Sequence, residues 1–129
     1  MTEDTQLKLY MLDTGLLSSM LRATSSDYHL FEQDQIKSAL LENSVAQALH
    51  AKEYNLRFWE SDSSAKVEFL IGNQHLLPIE IYMDDITRSK NLNVLKDSYE
   101  FDYAVKISTK NFAYSKKIKY VPYYAVYCL

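Results

Sequence analysis

The stretch KVEFLIGNQHLLPIEIY, residues 66–82, decides how this chain folds. Its halves, KVEFLIG (66–72) and LLPIEIY (76–82), are rich in β-branched and aromatic residues, with a turn signal around Asn73 between them. That pattern predicts two antiparallel strands. Val67, Phe69 and Ile71 then point one way, and Glu68 and Leu70 the other. In the second strand Leu77, Ile79 and Ile81 share a face, and Glu80 and Tyr82 share the opposite one. When the two apolar sets lie together, Glu68 and Glu80 fall on one side of the sheet. A loop over 73–75 places Glu68 opposite Glu80 and Lys66 opposite Tyr82, whereas a loop over 72–74 places Lys66 opposite Glu80. Facing carboxylates destabilise a sheet unless a cation or proton intervenes. A solvated outer face with Lys66 between them as counter-ion is the simpler account of them.

Working outward, LRFWE (56–60) reads as a strand preceding the hairpin. Before it, a long helix is expected from about 33 to 53, built of good helix formers with neither Gly nor Pro inside. KLYMLD (8–13) reads as extended, and Asp13-Thr14 can cap a brief helix over TGLLSSMLR. Beyond the hairpin, SKNLNVLKDSYEF (89–101) carries Leu92, Leu95 and Tyr99 at helical spacing. DYAVKIS (102–108) alternates as a strand, and KYVPYYAVYCL (119–129) reads as a last strand, with Pro122 suggesting an edge position. The order is helix, three strands, helix, two strands. A crossover helix from 89 into strand 102–108 implies a parallel pair within a mixed sheet flanked by helices, an α/β sandwich.

The long helix contains one residue out of place. Glu42 has Ala39, Val45, Ala46 and Leu49 as its helical neighbours, so it lies in an apolar stripe. An ionised carboxylate there is costly unless paired, hydrogen-bonded or bound to metal. The other reading is a side chain at the stripe edge that reaches water.

Bulk properties narrow the classes. A chain of 129 residues, 47% hydrophobic and 24% charged, with two Gly and two Pro, fits a single globular domain over 1–129 made mostly of regular elements. Its formal charge of -3 argues against a broad nucleic-acid-binding surface, although a local basic patch remains open. The single cysteine, Cys128, can form no internal disulfide, which fits a reducing, cytoplasmic compartment. No apolar run approaches membrane-spanning length, and MTEDTQLKLY enters a strand-like segment directly, as in a domain cut from a longer protein or a short stand-alone one.

Several chemistries find no support. No G-x-x-x-x-G-K-[ST] phosphate loop is present, and His29, His50 and His75 lack zinc-ligand spacing. Arg88, Lys90, Lys96, Lys106, Lys110, Lys116, Lys117 and Lys119 tilt the C-terminal third basic, which is commonly a solvated face. The tyrosines, eleven in all, are expected to pack the sheet rather than stack bases, and Trp59 to lie in the core.

Taken in order, KLYMLDTGLL (8–17), LLENSVAQALHAKEYNLRFWES (40–61), KVEFLI (66–71), LPIEIY (77–82), RSKNLNVLKDSYEFDYAVKIS (88–108) and VPYYAVY (121–127) resemble the DUF4143 domain. That domain forms the C-terminal part of many prokaryotic AAA+-type ATPases. It is similar to the PD-(D/E)XK restriction-endonuclease-like fold, whose αβββαβ core agrees with the element order above. The resemblance implies that Glu42 matches a helix glutamate, Glu68 stands where the family usually has aspartate, and Glu80 matches the strand glutamate. Tyr82 stands where that motif has lysine. Carboxylates in such a set hold Mg²⁺ or Mn²⁺, which polarises a phosphate and activates water. The lysine offsets charge building on the phosphate.

A methylene longer at 68, the ligand arm keeps its charge. At 82 the cation is lost, and a phenol with a pKa of about 10 does not replace it. Lys66 could restore it from the neighbouring strand, with Lys90 and Lys96 as more remote substitutes. The expectation is a catalytically degenerate domain that recognises DNA or a protein partner, the ATPase portion of the same or a companion chain among them. The alternative is an active Mg²⁺-dependent DNA nuclease with a relocated lysine.

Overall fold

The computed structural model describes residues 6–21, 34–82 and 90–129. The chain divides into two compact units, Met1–Gln47 and Ala48–Leu129.

In the first unit, helix α1 spans Thr14–Met20, and Asp13 caps it by accepting a hydrogen bond from the Leu16 backbone N–H at 2.8 Å. Helix α2, Asp34–His50, begins in this unit. The segment 8–13, expected as extended, joins no sheet among the described residues and instead fastens to α2 by polar contacts. Buried Asn43 receives the Met11 N–H at 2.7 Å and donates to the Met11 carbonyl at 3.0 Å and the Thr14 hydroxyl at 2.9 Å. One turn on, Gln47 accepts from the Thr14 hydroxyl at 2.9 Å. A short loop whose backbone groups are met by two amide side chains needs no ladder partner.

The second unit is a six-stranded mixed sheet in the order β1-β2-β3-β4-β6-β5. The strands are β1 Arg57–Glu60, β2 Lys66–Ile71, β3 Leu77–Ile81, β4 Ala104–Ser108, β5 Ala113–Ser115 and β6 Ile118–Pro122. The first three form the expected antiparallel meander. Helix α3, Lys90–Ser98, then carries the chain across so that β4 runs parallel to β3, and β6 parallel to β4. A mixed α/β architecture is therefore what the chain adopts.

Leu92 and Leu95 of α3 meet Val67, Leu70 and Ala104 in one buried cluster, flanked by Trp59, Phe101 and Ile118. Burying side chains of this size contributes about 1.5–3 kcal/mol each. Phe69, Ile79, Val105 and Ile107 are also at most 1% exposed, so the central strands are buried on both faces, as parallel strands require. Pro78, inside β3, costs no hydrogen bond toward β4. Tyr82 and Pro78 share a strand parity, Tyr82 donates to the Ile107 carbonyl on β4, and the β3–β4 ladder starts only at Ile79↔Val105.

Two expectations are corrected. Two residues of β1 (Arg57 to Trp59) span three steps of β2 (Leu70 to Val67), a β-bulge at Glu68 and Phe69. The bulge resets the alternation, which is why Val67 and Leu70 share a cluster instead of opposing one another. The segment 119–129 is no single strand. Its strand ends at Pro122, and Tyr123–Cys128 form a 3₁₀ helix, burying Ala125 and Val126 while Tyr124 and Tyr127, three apart, face solvent. The short strand β5 covers β6 only over Ile118 to Tyr120, so β6 lies inside the sheet there while Pro122 beyond it pairs with β4 alone.

Candidate functional site

The Ile71↔Leu77, Leu70↔Pro78 and Phe69↔Ile79 pairs fix the hairpin register, which is the one that a loop over 73–75 implies, and the ladder ends one residue short of Glu68 and Glu80. Gly72 makes the turn possible. Its φ is 86°, and a Cβ there would collide with the His75 carbonyl. The β2–β3 ladder runs no further than Phe69↔Ile79, beside the bulge in the β1–β2 pairing. Beyond that point the Glu68 carboxylate accepts the Ile81 backbone N–H at 3.1 Å. A side chain thus takes over the donor that the separating strand leaves behind.

Glu80 is fully buried, at 0% exposure, in the middle of the sheet. Its register partner on the parallel strand β4 is Lys106, itself only 1% exposed. The Lys106 Nζ has no hydrogen-bond acceptor among the described residues, and it lies 4.6 Å from the centroid of the Tyr82 ring. Burial pushes the Lys106 amine below the usual lysine range, the Glu80 carboxylate pushes it back up, and Lys110 adds a smaller downward push. Cation–π attraction to Tyr82 supplies part of what water would have given the ammonium group. Tyr82 is held in turn: its N–H donates to Ile107 at 2.8 Å, and its carbonyl accepts from the Tyr123 hydroxyl.

The other residues expected at the site are placed apart from this cluster or in the other unit. Lys66 is exposed at the start of β2, opposite Glu60 of β1. Glu42 belongs to the first unit, where its carboxylate pairs with Lys8 at 2.9 Å and accepts from the Tyr10 hydroxyl at 2.8 Å. The sheet thus brings Glu68, Glu80 and Tyr82 to one end of β3, and the cation at that place is Lys106. Its signal is in the sequence: AVKIS is a buried parallel strand whose middle residue is a lysine, in a position that normally reads as continuously apolar.

The Glu68 carboxylate is held by a backbone N–H, and that of Glu42 by Lys8 and Tyr10, while Glu80 has Lys106 as its register partner on β4. Among the described residues no three His, Cys, Asp or Glu side chains gather as metal ligands.

The six-stranded mixed sheet with its helices places the chain in the α/β class. The chain belongs to the DUF4143 family, a domain of unknown function, whose pattern matches residues 37–126. Comparison with curated proteins and with solved structures gives no match. No helix among the described residues is long and apolar enough to cross a membrane.

Proposed function

We propose that this chain is a nuclease-like domain that no longer cleaves, and that it serves an AAA+-type ATPase as a recognition or assembly module. The observation that supports this reading is the Glu80–Lys106 pair. A metal-dependent phosphodiesterase needs its strand glutamate open to a divalent cation and to water. Here the neighbouring strand gives that glutamate an ammonium group as its companion, inside a site closed to solvent. The lysine motif position holds Tyr82, whose ring covers the same amine. While it is protonated, this amine offsets the carboxylate's charge and competes with a cation for the same place.

A second reading rests on the same lysine. Lys106 stands beside Glu80 and could be the relocated amine of an active Mg²⁺- or Mn²⁺-dependent DNA nuclease. Its burial weighs against that, because a scissile phosphate must reach the amine. Incubation of the chain with single- and double-stranded DNA, in Mg²⁺ and in Mn²⁺, separates the two. The module reading predicts no cleavage. Cleavage abolished by both Glu80→Ala and Lys106→Ala would establish the nuclease instead.

A further inference from the structure

The second unit ends in a charge arrangement that the Glu80 site does not use. All 17 acidic residues of the chain precede residue 103, while five of its 14 basic residues follow it. In a chain of net charge -3, the last part is therefore purely cationic. Four of those lysines, Lys110, Lys116, Lys117 and Lys119, lie on or beside the β5–β6 hairpin. The fifth is the buried Lys106.

The hairpin is also an open edge. Strand β5 pairs with β6 on one side and no strand lies beyond it among the described residues. Ser115 and Ile118 flank a two-residue turn, which makes them a hydrogen-bonded pair and turns the N–H and C=O of Tyr114 away from β6. Lys116 and Lys117 form that turn with φ of 51° and 62°. Such a turn is the natural place for Asn-Gly, so two ammonium groups occupy a backbone conformation that side chains rarely adopt. Phe112 and Tyr114 stand 60% and 64% exposed along the same edge.

Lysines on an edge repel the same edge of another copy. They do not repel an acidic strand. An open ladder presents N–H and C=O groups that a polypeptide backbone complements and a nucleic-acid backbone does not. No arginine, the residue suited to forked phosphate contacts, occurs after Arg88. We propose that the β5 edge is a docking site for an acidic, extended polypeptide segment, which adds to the sheet as a strand beside Tyr114 under the Lys116–Lys117 turn. The occupant is a protein partner, and the inference is independent of the state of Glu80.

The test uses the whole chain and a fluorescein-labelled peptide of alternating glutamate and valine, followed by anisotropy. Saturable binding that weakens with salt is expected. Lys116→Glu with Lys117→Glu should weaken it about tenfold or more. Tyr114→Pro removes the outward N–H and the ring without taking a hydrogen bond from the β5–β6 ladder and should abolish binding, while Tyr114→Ala, which loses the ring but keeps the N–H, should retain most of it. The proposal is overturned by absence of saturable binding, by equal binding of a peptide with lysine in place of glutamate, or by Tyr114→Pro leaving affinity unchanged. Preferential binding of single-stranded oligothymidylate, lost in Tyr114→Ala, overturns it in favour of base stacking.

Discussion

Glu80 on β3 and Lys106 on β4 are register partners in a parallel pair, and both are almost completely buried. The Lys106 Nζ makes no hydrogen bond to the carboxylate, so the two groups act on each other through their field alone. A buried ion pair contributes little net stability over an apolar pair of similar volume, but losing one partner leaves the other charge desolvated. Glu80→Gln or Lys106→Met alone should therefore destabilise by about 3–5 kcal/mol. The double variant should recover most of that loss. Urea denaturation of all four proteins closes the cycle, and additive losses would show that the two residues are uncoupled.

The direction of the Lys106 shift fixes a pH dependence. Its amine holds a proton less firmly folded than unfolded, chiefly because burial desolvates it. The unfolded state then binds more protons, so stability rises with pH. The cost is fully present below the folded pKa and fades as pH climbs from there toward the ordinary lysine value of about 10. Denaturation midpoints should increase over this window in the native chain. The double variant, which lacks the amine, should show a smaller increase, and identical profiles would count against the assignment.

Gly72 sets the turn that fixes the β2–β3 register and brings the Glu68 carboxylate to the Ile81 N–H. Its φ of 86° disfavours any side chain, and a Cβ would meet the His75 carbonyl. Gly72→Ala should cost about 3 kcal/mol through strain and collision together. The amide of Ile81, held by the Glu68 carboxylate, should exchange faster with deuterium in that variant. Unchanged exchange would mean that the turn does not govern the pair.

Much of this was legible beforehand, for definable reasons. The β2–β3 hairpin and the crossover through α3 follow from periodicity and turn chemistry, both local properties. The β2–β3 register was one of two readable alternatives. The bulge at Glu68 and Phe69 was not readable, because it exists only in the pairing of β2 with β1. Lys106 was missed as a partner of Glu80 for a similar reason: 26 residues separate them, and only the parallel register joins them. The tail YYAVYC has strand-forming residues, yet burial of Ala125 and Val126 side by side selects the 3₁₀ helix over alternation. In the first unit Glu42 stood out, while Asn43 beside it makes more hydrogen bonds and drew no notice, since an amide in a helix looks neutral.

That amide gives a further expectation. Asn43 makes three hydrogen bonds to the Met11 backbone and the Thr14 hydroxyl, at a site 3% exposed. At about 1 kcal/mol net for each, Asn43→Ala should cost about 3 kcal/mol. Protection of the Met11 amide against deuterium exchange should fall with it. The neighbouring ion pair of Glu42 and Lys8 is partly exposed, so Lys8→Ala should cost less than about 1 kcal/mol. A larger loss from Lys8 than from Asn43 would reverse this order.

The central claim is that Lys106, not a metal ion, balances Glu80. Titration of the native chain with Mn²⁺, followed by the electron paramagnetic resonance of the free ion, tests it most directly. The account predicts no saturable site attributable to Glu80, so that the native chain and Glu80→Gln deplete free Mn²⁺ equally. Stoichiometric Mn²⁺ binding by the native chain that Glu80→Gln abolishes would contradict it.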